Sequence, residues 1–126
     1  MKKKLLITAI IMAAVSCNTN NPFLTGRDTP YGIHDFTKTQ EKHYIPAIEI
    51  GIRQQQGEID AIIANPDAPT FENVVEAYER SGAILDRVSM VLFNISESDA
   101  TESLQKIVEE ALPLISVHSD NLFMNP

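Results

Sequence analysis

The sequence predicts an all-α fold. Apolar residues recur at helical spacing in three successive segments. Proline-marked breaks separate the first two, at Asn65-Pro66 and Ala68-Pro69. No run alternates apolar and polar residues in the manner of a strand. The expected architecture is a helical subdomain of about three to four antiparallel helices, kinked at Pro113.

In the first segment Ile48, Ile52, Ile59, Ile62 and Ile63 fall on one helical stripe. A preliminary turn from Thr39 to Tyr44 leads in, and Pro46 suits a first turn, where its missing N–H leaves no bond unmade. The helix should stop near Ala64, because a residue before proline is pushed out of the helical region. Thr70 is a good N-cap for the second segment, with Glu72 in its first turn. Phe71, Val74, Val75, Tyr78, Leu85, Val88 and Leu92 form its stripe, and Glu76 and Arg80 stand at favourable ion-pair spacing. Gly82 interrupts this helix at about 1 kcal/mol relative to alanine, which a close helix crossing would offset. The third segment opens with the capping pattern Asp99-x-x-Glu102, and its stripe is Leu104, Ile107, Val108, Ala111, Ile115 and Leu122. Pro113 should kink it or split it in two.

The N-terminus reads differently. Lys2, Lys3 and Lys4 precede an apolar run from Leu5 to Val15, about half of the ~20 residues that span a bilayer. A basic head, a short apolar body and small residues before a break describe a secretory signal peptide over residues 1–16. Ala14-Val15-Ser16-Cys17 resembles a bacterial lipoprotein cleavage box, in which Cys17 becomes the lipidated N-terminus. Ala14 stands where that box prefers leucine, and an ordinary signal peptide beside a cysteine is the alternative. Cys17 is the single cysteine, so no internal disulfide forms. Residues 17–35, rich in Asn, Pro and Gly, read as a tether and irregular lead-in. Phe23, Leu24 and Tyr31 there, with Phe36 just beyond, are expected to dock on something apolar. Residues 36–126 form the helical subdomain.

The chain carries −7. The leader's three lysines supply +3 of that balance, so the remainder carries −10. Such acidity leaves no electrostatic footprint for nucleic acid and repels anionic head groups, so membrane contact would run through the lipid anchor alone. His34, His43 and His118 lack partners at metal-ligand spacing, and zinc needs three or four converging ligands. His118 shares a line with Ala111, Ile115 and Leu122 and should meet a neighbouring helix, its ring satisfied there. Glu109-Glu110 and the Glu72/Glu76 pair read as solvated helix faces. No H-E-x-x-H, phosphate loop or nucleophile–base pattern occurs, so no catalytic or metal residue is assigned to this chain.

Several ordered stretches resemble the N-terminal region of the thimet oligopeptidase family of zinc peptidases, in its peptidyl-dipeptidase (dipeptidyl carboxypeptidase) and oligopeptidase A branch. They include Asn21-Pro22-Phe23-Leu24, Pro30-Tyr31-Gly32, Glu41-Lys42-His43-Tyr44-Ile45-Pro46-Ala47 and Gln56-Gly57-Glu58-Ile59-Asp60-Ala61-Ile62. They continue with Asn65 to Asn73, Glu79-Arg80-Ser81-Gly82, Leu85-Asp86-Arg87-Val88, Phe93-Asn94 and Leu114 to Asp120. Pro69-Thr70-Phe71-Glu72-Asn73 followed by Glu79-Arg80-Ser81-Gly82 is the most specific part. Val74-Val75 departs from the pattern, a Thr-Ile pair being common there. The resemblance implies a wall of a closed-off channel that admits short peptides. It also implies a zinc site on a C-terminal catalytic region, held by residues that this sequence does not contain, and places His118 in the wall. The expected function is the non-catalytic N-terminal portion of an exported peptidyl-dipeptidase or oligopeptidase, facing the periplasm, with a mild preference for the outer membrane. Asn125-Pro126 has the form of a helix start, which suggests truncation. The alternative is a complete small helical lipoprotein that acts as a binding module.

About 110 residues bury only about 60% of their unfolded surface, so an exposed apolar face is expected. Replacing Cys17 with alanine should abolish fatty-acid labelling and move the protein to the soluble fraction. Unchanged membrane fractionation would exclude Cys17 as the tether.

Overall fold

The computed structural model describes residues 20–25 and 29–124, so Cys17, the leader and Asn125-Pro126 lie outside the described residues. Every regular element among the described residues is helical. The chain divides into two units, Met1–Thr39 and Gln40–Pro126.

In the first unit, Asn21 folds its side chain back to accept a bond from the Phe23 N–H at 3.1 Å, while the Leu24 N–H reaches the Asn21 carbonyl. Such Asx turns are a common local use of asparagine. A 3₁₀ turn follows at Pro30–Gly32, with Tyr31 in the left-handed region at φ 61°. Of the four side chains expected to dock, Phe23 is fully buried, but Phe36 is half exposed and Tyr31 wholly exposed at the tip of its turn.

The second unit opens with a 3₁₀ turn at Glu41–His43 and passes directly into α1, Tyr44–Ile63. Pro46 sits in its first turn and Ala64 ends it, as the sequence predicts. A π-helical turn, Phe71–Glu76, begins at Thr70. Thr70 Oγ1 accepts from the Asn73 N–H, and Asn73 Oδ1 accepts from the Thr70 N–H at 2.7 Å. This is a capping box with asparagine in place of the usual glutamate. The short helix α2, Ala77–Arg80, continues it, and the expected Glu76–Arg80 ion pair forms.

The second segment is not one helix. Ser81 is extended and Gly82 left-handed at φ 75°, so the chain breaks there before α3, Ala83–Ser98. The left-handed torsion favours glycine, and a β-carbon there would lie 2.4 Å from Gln55 Nε2 and push that amide aside. The close helix crossing lies elsewhere, at Gly51 of α1, where a β-carbon would meet the Leu85 backbone nitrogen of α3 at 2.8 Å.

The last helix, α4, spans Glu102–Phe123. Its cap is Thr101, whose hydroxyl accepts from the Leu104 N–H at 3.1 Å, rather than the expected Asp99. Asp99 instead closes α3, its N–H donating to the Ile95 carbonyl. Pro113 does not split the helix, which runs through it. The core is built from Tyr44, Ala47, Ile48 and Ile59 of α1, Leu85, Val88, Val91 and Leu92 of α3, and Leu104 and Ala111 of α4. Complete burial of a side chain the size of Ile48 or Leu92 contributes about 1.5–3 kcal/mol. Ser103 Oγ of α4 also donates to Glu41 Oε1 at 2.7 Å, fixing the 3₁₀ turn against that helix. No helix among the described residues is long and apolar enough to cross a membrane.

The three glycines of the second unit should separate by thermal denaturation. Gly51→Ala should cost about 1–3 kcal/mol through forced overpacking, and Gly82→Ala a similar amount through torsion and contact. Gly57→Ala, which meets nothing within 4 Å on α1, should stabilise by about 1 kcal/mol.

Candidate functional site

The polar interior of the helical unit centres on His118. Its stripe position on α4 turns it inward, and only 6% of its surface is exposed. His118 Nε2 lies 2.9 Å from Gln55 Oε1 of α1. An amide oxygen only accepts, so the ring carries its proton on Nε2. Gln55 Nε2 in turn donates to Ser81 Oγ at 3.3 Å, and the Ser81 hydroxyl donates to the Tyr78 carbonyl at 2.7 Å. Beside this chain of bonds, Glu58 Oε2 accepts from the Gly82 N–H at 2.8 Å. Two residues of α1 and one of α4 therefore secure the break between α2 and α3. The histidine's expected neighbour is Gln55. Nothing in this arrangement forms a nucleophile with an adjacent base.

Gln55, Ser81 and Glu58 were not singled out by sequence reasoning, yet a signal was present. Gln55 stands three residues after Ile52 and four before Ile59, on the apolar stripe itself. His118 interrupts the α4 stripe in the same way. Two polar residues on facing apolar stripes each need a buried partner, and these two meet.

The other histidines serve local structure. In the first unit the His34 ring stacks on Phe23, centroids 4.4 Å apart, and lies edge-on to Phe36. Its Nε2 bonds Thr39 Oγ1 at 2.6 Å. Nearby, a hydrogen bond from the Thr37 hydroxyl, aided by Lys38, holds the Asp35 carboxyl at about 2. His43 Nδ1 accepts from the Gln40 N–H at 3.0 Å and so caps the turn before α1. Glu72, Glu109 and Glu110 are exposed, as solvated helix faces should be.

The zinc implied for long members of the resembled family finds no fitting donor set: among the described residues no three His, Cys, Asp or Glu side chains gather closely enough to hold a metal. No step through a metal is assigned to this chain.

Three open grooves flank the polar cluster. One of about 450 Å³ is mixed, with Glu58, Asn65, Asn73 and Arg80 beside Ala61 and Ile62 in its wall. One of about 480 Å³ runs between α1 and α4 past Arg53, Pro113, Val117 and His118. The third, about 410 Å³, is lined by apolar side chains and Tyr78, joining Ile62 and Ile63 of α1 to Val74 and Val75 of the π-helical turn and Leu122 of α4. Ile63, Val74, Val75 and Tyr78 are all exposed. This is the bare apolar face that the predicted stripes implied.

His118 and His43 should make stability pH-dependent. Burial lowers the pKa of His118; burial and then the Lys42 charge lower that of His43. The unfolded chain then binds protons more readily than the folded one. Their contribution is complete above the ordinary value of 6.5 and is lost as pH falls through the lowered folded values. Thermal midpoints should therefore fall between pH 7 and pH 5, and His118→Gln should flatten part of that slope. His118→Ala at neutral pH should cost about 1–3 kcal/mol by stranding the Gln55 amide.

No protein-family profile matches the chain. Individual proteins do. Dipeptidyl carboxypeptidase of Salmonella typhimurium is 35% identical over 107 residues, or 85% of this chain. Its Escherichia coli counterpart is 34% identical over the same length. Oligopeptidase A of Escherichia coli is 23% identical over 99 residues. The chain spans only 16% of the length of the two carboxypeptidases and 14% of oligopeptidase A. Over most of its length the chain is a homologue of dipeptidyl carboxypeptidase and oligopeptidase A, consistent with the N-terminal region of that family which its motifs resemble.

Proposed function

We propose that this chain is the non-catalytic N-terminal portion of an exported, zinc-dependent peptidyl-dipeptidase or oligopeptidase, and that it forms part of the wall of a channel admitting short peptides. The observation that carries this reading is the 35% identity to a dipeptidyl carboxypeptidase across 85% of the chain, set against 16% of that relative. On this reading zinc binding and water activation belong to a C-terminal catalytic region, and the helical unit shapes the approach to it. A lipid on Cys17 would hold the assembly on the periplasmic side of the membrane, with outer-membrane retention preferred because Asn18 is not acidic. Two or more acyl chains give stable attachment where a single one is marginal.

The second reading, a complete small lipoprotein that binds a partner without catalysis, draws support from the exposed apolar groove. The DNA beyond the Pro126 codon separates the two. An open frame reaching an H-E-x-x-H pattern selects the first, and a stop codon the second.

The peptidase reading has a direct test in a chimera. Residues 21–124 of this chain should replace the matching stretch of the Salmonella typhimurium dipeptidyl carboxypeptidase with retention of fold. Release of dipeptides should stay within about tenfold of the parent, a change of about 1.4 kcal/mol in the barrier. A chimera that folds with the parent's thermal midpoint yet releases no dipeptides contradicts the assignment.

A further inference from the structure

We draw no further inference here: the strongest candidate, the apolar groove between α1, the π-helical turn and α4, carries nothing because nothing in the structure shows what covers it.

Discussion

The helical unit depends on one hydrogen-bonded chain, from His118 through Gln55 to Ser81 and the Tyr78 carbonyl. Apolar burial alone would bring α1, α3 and α4 together, but it is non-directional. The polar chain fixes their register. A histidine on α4 can satisfy Gln55 only at one rotation of both helices, and Gln55 can reach Ser81 only where the second segment breaks. Gly82 makes that break affordable, since its left-handed torsion and missing side chain leave room for the Gln55 amide. Glu58 completes the arrangement by accepting from the Gly82 N–H.

This arrangement leaves the apolar surface unevenly distributed. α3 is well buried through Leu85, Val88, Val91 and Leu92, whereas Phe71, Val74, Val75 and Tyr78, before the break, remain exposed. The break turns the earlier part of the segment out of line with the later part, so one sequence stripe serves two surfaces. One half joins the core and the other walls a groove. This division is built into the backbone of a chain that spans about a sixth of the length of the dipeptidyl carboxypeptidase it matches.

Much of the fold was legible in the sequence because its signals are local. The α1 stop at Asn65-Pro66, the Thr70 cap and the Glu76–Arg80 pair each follow from a few adjacent residues. The failures came where two local signals competed. Asp99 and Thr101 both offer an N-cap, and Thr101 prevailed because the Asp99 N–H already closes α3. Gly82 read as a weak point in one helix because spacing cannot show that Gln55 would occupy the space beside it. Gly51 carried no sequence signal, since its importance lies in the approach of the Leu85 backbone. Of the polar cluster, His118 was legible as an inward-facing residue, while Gln55 was hidden among three consecutive glutamines.

Pro113 gives α4 an unequal build. Proline lacks an N–H, so the Glu109 carbonyl four residues earlier has no helical donor, and the backbone ladder carries a gap between the two halves of the helix. Leu104 and Ala111 moor the first half in the core, while His118 lies in the second. Fraying that starts at the Phe123 end meets His118 before it can reach the gap. The imidazole is the clasp that stops it, and its proton inventory sets how firmly the tail of the helix stays shut.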